Sequence, residues 1–310
     1  MTQRSELGLT GDQVNFYKEN GYVHVKNVLD SWELKRLHEE SLQLIEHIKK
    51  TKPTNDDFRY AIDPVTGHSI LHRVVGLRNK GRAFLDLYGH PRLLHMAEAI
   101  LGPNFMNAGD VMVVKMPEYG RPTPWHRDPA HPHIRPPFDI DVYIDSSTPE
   151  NGCLYAIPGS HLWAGFDLQE MVDRHGFSLP GAIPLPAEPG DVVLHSPNLL
   201  HGSLTTRGSG LRRIIYLCFW GIDEILHRGG QLATSHVQSW LRILLKAIES
   251  RATLTNTVDE IPYSYNPTMP EFHIDKSELK DAEMEVPELA DSDYDPAYRY
   301  SPLVAVEPTN

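Results

Sequence analysis

Trp125-His126-Arg127-Asp128 carries the strongest chemical pattern in this 310-residue chain, because a further histidine, His201, follows Asp128 after 73 positions and Arg212 stands eleven beyond that. In an extended strand, residues two apart project from the same face, so His126 and Asp128 point inward together while Arg127 points away. A single strand end thus supplies two metal ligands. The third comes from Leu199-Leu200-His201-Gly202-Ser203, since the intervening chain is long enough for several antiparallel strands that return beside the first. Two imidazoles and one carboxylate make a facial triad for ferrous iron, which leaves three coordination positions open for a co-substrate and dioxygen. The pattern implies a non-haem iron oxygenase.

A His-x-Asp pair is weak by itself in a chain with 17 histidines. Its surroundings give it weight: the strand-like run Met112-Val113-Val114-Lys115-Met116 before it, then Thr148-Pro149-Glu150-Asn151-Gly152-Cys153-Leu154, Pro158-Gly159-Ser160-His161 and Pro189-Gly190-Asp191 after it. With Trp125-His126-x-Asp128, His201-Gly202-Ser203 and Arg212, this text resembles the phytanoyl-CoA dioxygenase family of iron(II)- and 2-oxoglutarate-dependent oxygenases, from about Leu9 to Trp220. The resemblance implies a mainly β protein with helical additions, built on a double-stranded β-helix (a jelly-roll or cupin-like core) buttressed by helices. It implies iron(II) bound by His126, Asp128 and His201, and 2-oxoglutarate anchored by Arg212 with help from Ser203. Dioxygen is the second co-substrate. Lys115, ahead of the ligand strand, reads either as a pocket cation for substrate or co-substrate or as a lysine on the barrel rim.

Arg212 suits the anchoring role chemically, because a guanidinium offers two parallel donors that match a carboxylate. Its neighbour Arg213 must face the other way on a strand, as a solvated or inter-strand charge. Ser203 shares a face with His201 and is placed to donate to the same carboxylate. Relatives of this fold that halogenate carry a small residue where Asp128 stands, so hydroxylation of an aliphatic C–H in a small organic molecule is expected, with desaturation, ring closure or epimerisation reachable by related routes. A secondary-metabolite intermediate is the favoured substrate. Two other classes remain open: a cupin-type metal enzyme that uses no oxoacid, and a non-catalytic barrel serving binding or assembly.

Other basic residues and histidines read less functionally. His131 and His133 sit among Pro129, Pro132, Pro136 and Pro137, which cannot donate to an interior ladder and so place them on a loop or edge. His161 and His195 read as structural imidazoles, and the run Arg73, Arg78, Lys80, Arg82 as a solvated loop. Candidate substrate contacts are Tyr60, His72, Trp125, Phe138, Asp141 and Tyr143, besides His131.

The 40% hydrophobic content supports a sizeable core, and two cysteines, Cys153 and Cys218, give no disulfide framework and read as buried apolar groups. A net charge of −12 argues against nucleic acid as partner. The polar start, the absence of a long apolar run and a C-terminus other than Ser-Lys-Leu suggest a cytoplasmic protein without membrane attachment. Helices are expected from Thr10 to Asn20, from Ser31 to Ile48, from Pro91 to Leu101 and from Ser235 to Ser250, with a strand at Tyr22–Val25 and a strand-rich half from Met112 to Trp220. Residues 1–250 then form the oxygenase domain. Residues 251–310 hold thirteen acidic against four basic residues, with Tyr263, Tyr265, Tyr294, Tyr298 and Tyr300, and read as an acidic tail that is docked or partly disordered. A homodimer through this C-terminal region is compatible with the pattern.

Overall fold

The computed structural model describes residues 7–128, 137–208, 210–228, 233–254 and 260–279. Local signals set its first elements. Helix α1 (Gly11–Asn20) begins at Thr10, whose side chain accepts from the amide of Gln13 while Gln13 caps Thr10 in return, and it ends at Gly21 with φ 79°, a left-handed turn that glycine adopts freely. Strand β1 (Tyr22–Val25) follows. Helix α2 (Ser31–Thr51) starts at Asp30 through the same reciprocal cap with Glu33. Strands β2 (Phe58–Ile62) and β3 (Ser69–Val75) form a hairpin, then come the short helix α3 (Arg82–Tyr88) and α4 (Pro91–Leu101), which opens on a proline at its first turn.

The remaining strands are β4 (Phe105–Lys115), β5 (Thr123–His126), β6 (Phe138–Tyr143), β7 (Leu154–Ala156), β8 (Ile183–Leu185), β9 (Val192–His195), β10 (His201–Ser203) and β11 (Arg212–Gly221). Helix α5 (Leu168–His175) precedes β8, and α6 (Ile222–Arg228) and α7 (Ala233–Ala252) follow β11. The strands make a seven-stranded sheet in the order β1-β9-β6-β11-β4-β3-β2 and a four-stranded sheet in the order β5-β10-β7-β8, and every pairing is antiparallel. This is the jelly-roll core expected from sequence, with helical additions packed on the large sheet and α5 against the small one.

Alternation along β11 assigns the two faces of the large sheet. Ile215, Leu217 and Phe219 enter the main core, shared with Leu37 and Ile45 of α2, Leu93 and Leu94 of α4 and Leu241 and Leu244 of α7. The opposite side chains turn toward the small sheet, where Ile214, Tyr143 and Val193 meet Leu154, Ala156 and Leu185. That inter-sheet space is apolar at one end and polar at the other, and the polar end is the site described below. Within residues 260–279, Tyr263 and Phe272 are buried in the main core and the Tyr265 hydroxyl donates to the Phe105 carbonyl at 2.5 Å. His131, His133, Tyr294, Tyr298 and Tyr300 lie outside the described residues. Among the described residues no helix is long and apolar enough to cross a membrane.

Candidate active site

His126 and His201 stand directly opposite each other across β5 and β10, which brings their rings to 4.1 Å between centroids. Strand β5 ends at His126, and Asp128 lies just past it, its amide bonded to the Pro197 carbonyl at 2.8 Å. The Nδ1 atoms of both histidines face carbonyls, of Pro124 at 2.9 Å for His126 and of Leu199 at 2.9 Å for His201. These contacts fix the tautomer and leave the Nε2 atoms to converge with the carboxylate. His126 Nε2 lies 3.6 Å from Asp128 Oδ1, and one donor atom from each of the three residues falls within 4.8 Å of the others. Burial disfavours charge on His201, and so does the neighbouring His126, so its imidazole is pushed down to about 3 and is neutral, as a ligand must be. Burial opposes ionisation of Asp128, yet the His126 hydrogen bond and the surrounding imidazoles outweigh it and hold the carboxylate well below its usual range.

The three groups open into a cavity of about 320 Å³ whose wall also carries Ser203, Arg212, Tyr216 and Asp139. Arg212 begins β11 and is 3% exposed; it donates from Nη1 to the Gly152 carbonyl at 2.7 Å and to Ser147 Oγ at 3.3 Å, while its buried Nε has no hydrogen-bond partner. Arg213 turns to the opposite face as alternation requires, but it is not solvated. It is buried in a forked ion pair with Asp145, at 2.8 and 2.7 Å, and donates to Ser41 of α2 at 2.7 Å.

Lys115, paired in register with Arg212, is buried and spends two donors on the carbonyls of Arg121 and Leu204, at 2.7 and 2.6 Å. Burial and the nearby Arg212 charge push its amine down to about 6. It therefore sits behind the cavity wall and ties together the loops that flank it. Of the other candidate contacts, Trp125 packs on Phe177, Phe138 enters the main core and Tyr60 borders a separate groove.

The sequence reading missed a charged group beside the triad. His195, expected to be a plain structural imidazole, is wholly buried with Nε2 3.9 Å from both Asp128 and Asp139 and Nδ1 3.1 Å from Asp141. Burial opposes its charge, but Asp141, Asp139 and Asp128 together outweigh it and push the imidazole up to about 10. Burial in turn raises the carboxyl of Asp139, with the Asp128 and Asp141 charges adding to it. Asp139 and His195 are register partners across β6 and β9, a long-range pairing that no local pattern announces. Cys218, expected to be a buried apolar group, is half-buried and lines the same cavity.

The family profile of phytanoyl-CoA dioxygenase matches residues 17–214. The chain belongs to that family. It is accordingly a non-haem dioxygenase dependent on iron(II) and 2-oxoglutarate. Human peroxisomal phytanoyl-CoA dioxygenase is 26% identical over 240 residues, covering 69% of this chain and 69% of the relative. The methylphosphonate hydroxylase of Gimesia maris is 24% identical over 225 residues, covering 70% and 82%. Among solved structures, AviO1 from Streptomyces viridochromogenes aligns with a TM-score of 0.59 at 26% identity, over 67% of this chain and 93% of AviO1. EctD from S. alaskensis, solved with 2-oxoglutarate and 5-hydroxyectoine, shares the fold with a TM-score of 0.60 at 20% identity, over 71% and 79%.

The residues present fit both groups that the family implies. Two imidazoles and an ionised carboxylate form a complete donor set for iron, and Arg212, a buried cation that lines the same cavity and whose Nε has no hydrogen-bond partner, suits the remote carboxylate of an oxoacid.

Proposed function

We propose that the chain hydroxylates an aliphatic C–H bond of a small biosynthetic molecule, with His126, Asp128 and His201 holding ferrous iron and Arg212, assisted by Ser203, holding 2-oxoglutarate. The observation that carries this reading is the convergence of the three donor groups and the underused Arg212 guanidinium on one cavity between the two sheets. Iron bound there supplies the oxidising chemistry, activating dioxygen at the expense of 2-oxoglutarate, which leaves as succinate and carbon dioxide.

The chain's own residues do the rest. The carbonyls of Pro124 and Leu199 orient the two imidazoles, and the Asp128 carboxylate fills the position that a halogenating relative would leave free. Arg212 is fixed before any ligand arrives by its bonds to Gly152 and Ser147, so little side-chain freedom is lost on binding. Ser203, buried on the cavity wall, adds a neutral donor. Lys115 supports the wall from behind, as its two carbonyl bonds indicate. The same proposal assigns catalysis to residues 1–250 and reads 251–310 as an acidic tail docked on that domain through Tyr263 and Phe272, with a homodimer formed through this C-terminal region. It assigns the protein to the cytoplasm, in keeping with unpaired Cys153 and Cys218.

Anaerobic titration with ferrous iron and then 2-oxoglutarate tests it. The expected result is a visible metal-to-ligand charge-transfer band that needs both components and is lost in His126→Ala. A folded, iron-loaded protein without the band would overturn the co-substrate assignment.

A further inference from the structure

Asp128 differs from the two histidines in what holds it. His126 ends β5 and His201 begins β10, so backbone pairing fixes both, whereas Asp128 stands beyond β5 and is held by the segment that ends β9. Its amide donates to the Pro197 carbonyl at 2.8 Å, and two residues earlier in that segment His195 places Nε2 3.9 Å from Asp128 Oδ2. The two carboxylate oxygens are thereby distinguished, because it is Oδ1 that lies 3.6 Å from His126 Nε2.

Two further carboxylates surround His195. Nε2 is also 3.9 Å from Asp139 Oδ2, and Nδ1 is 3.1 Å from Asp141 Oδ1. Asp139 and Asp141 are two apart on β6 and so project from the same face of the sheet. Ionised carboxylates only accept, and an imidazole between them presents both of its nitrogens as donors. Among the described residues no lysine or arginine pairs with Asp128, Asp139 or Asp141, and the buried His195 ring is the cation that the three share. Asp128 therefore belongs to two clusters with metal-ligand spacing, one with His126 and His201 and the other with Asp139 and His195, the donor atoms of each lying within 4.8 Å of one another. The first cluster thus adjoins a second carboxylate, Asp139, and the second oxygen of Asp128 itself. Each extra protein oxygen that turned onto iron would close one of the three positions left open by the triad.

We propose that His195 is a positioning residue that keeps the metal centre to three protein donors, holding Asp128 Oδ2 and Asp139 so that neither turns onto the metal. This rests on His126, Asp128 and His201 being the iron ligands. Asp141, wholly buried, holds the ring from its other nitrogen. Loss of His195 then acts on the two ligands in opposite ways. Without the imidazole the site is more negative and offers more oxygens, so iron binds at least as tightly. The dianion 2-oxoglutarate, which competes for the positions those oxygens take, binds more weakly.

Anaerobic binding measurements on the full chain test it, with equilibrium dialysis for ferrous iron and the visible charge-transfer band for 2-oxoglutarate added to iron-loaded protein. In His195→Phe, which keeps a planar ring, iron affinity should be unchanged or higher and 2-oxoglutarate affinity at least about tenfold lower. His195→Gln, which offers an amide donor, should fall between that variant and the parent. Adding Asp139→Leu to His195→Phe removes the competing carboxylate and should recover part of the 2-oxoglutarate affinity, a rescue that a merely structural role would not give. Circular dichroism verifies that each variant is folded, and His195→Gln with and without Asp139→Leu serves if phenylalanine prevents folding. An unchanged 2-oxoglutarate affinity, a parallel loss of iron and 2-oxoglutarate, or no recovery in the double variant overturns the assignment. The parent protein keeps the two readings apart: a parent that takes up no iron removes the iron assignment and this inference with it, and a parent that binds both ligands while the His195 variants bind them equally well removes this inference alone.

Discussion

Arg212 and Arg213 are adjacent in sequence and opposite in fate. One reaches the inter-sheet cavity with a spare donor, and the other is consumed by Asp145 and Ser41. Replacing Arg212 with leucine removes a charge-assisted contact of about 1.5–3 kcal/mol, so 2-oxoglutarate should bind on the order of ten- to a hundredfold more weakly. Ferrous iron, read by equilibrium dialysis without co-substrate, should bind as before. An unchanged 2-oxoglutarate affinity would remove Arg212 from the site. His126, Asp128, His201 and Arg212 were legible because strand alternation and ligand chemistry restrict both spacing and residue type. His195, Asp139 and Cys218 were not, since they join the same wall only through pairing of β6 with β9 and β11, and nothing in the local text specifies that partner choice.

Elements with their own punctuation were equally legible: α1 between Thr10 and Gly21, and α4 between Pro91 and Gly102. The β2–β3 hairpin and α3 were hidden because their charges suggest solvent. In fact the acids that neutralise Arg78 and Arg82 include Asp110 on β4 and Asp86 within α3 itself. Gly89, at the end of α3, shows how closely that short helix packs. A Cβ there would come to 2.4 Å from the Ala247 carbonyl oxygen of α7 and 2.7 Å from the Ile248 nitrogen, both backbone atoms that cannot swing away. Its φ of −93° suits any residue, so close approach alone demands glycine. Gly89→Ala should therefore cost about 1–3 kcal/mol by overpacking, seen as a lower midpoint in denaturant with an unchanged slope. A midpoint equal to that of the unsubstituted protein would mean that the α3–α7 contact yields freely.

At the scale of the molecule, the helical layer and the chain beyond it are joined by one buried charge network. Glu33 of α2 caps its own helix, lies 3.1 Å from His90 at the start of α4 and 2.5 Å from Arg251 at the end of α7, and Arg251 in turn binds Glu260 at 2.5 Å. Although Glu33, His90 and Glu260 converge as a metal site would, the Arg251 guanidinium already supplies the counter-charge. Burial opposes ionisation of Glu33, yet the His90 hydrogen bond and the His90 and Arg251 charges hold its carboxyl at about 2 against an ordinary 4.5. A carboxyl depressed on folding contributes stability above its unfolded value and loses it as the pH falls through the folded one. The network should thus weaken from about pH 4.5 down to about 2, by up to about 3 kcal/mol from this group. His90, lowered chiefly by burial, acts in the same sense from its ordinary 6.5 downward, because the unfolded chain takes up that proton first. Urea unfolding at a series of pH values should show stability declining below about 6.5 and more steeply below 4.5, and Glu33→Gln should flatten the segment below 4.5. Equal slopes in the variant and the parent between pH 4.5 and 2 would show that the acid sensitivity arises elsewhere.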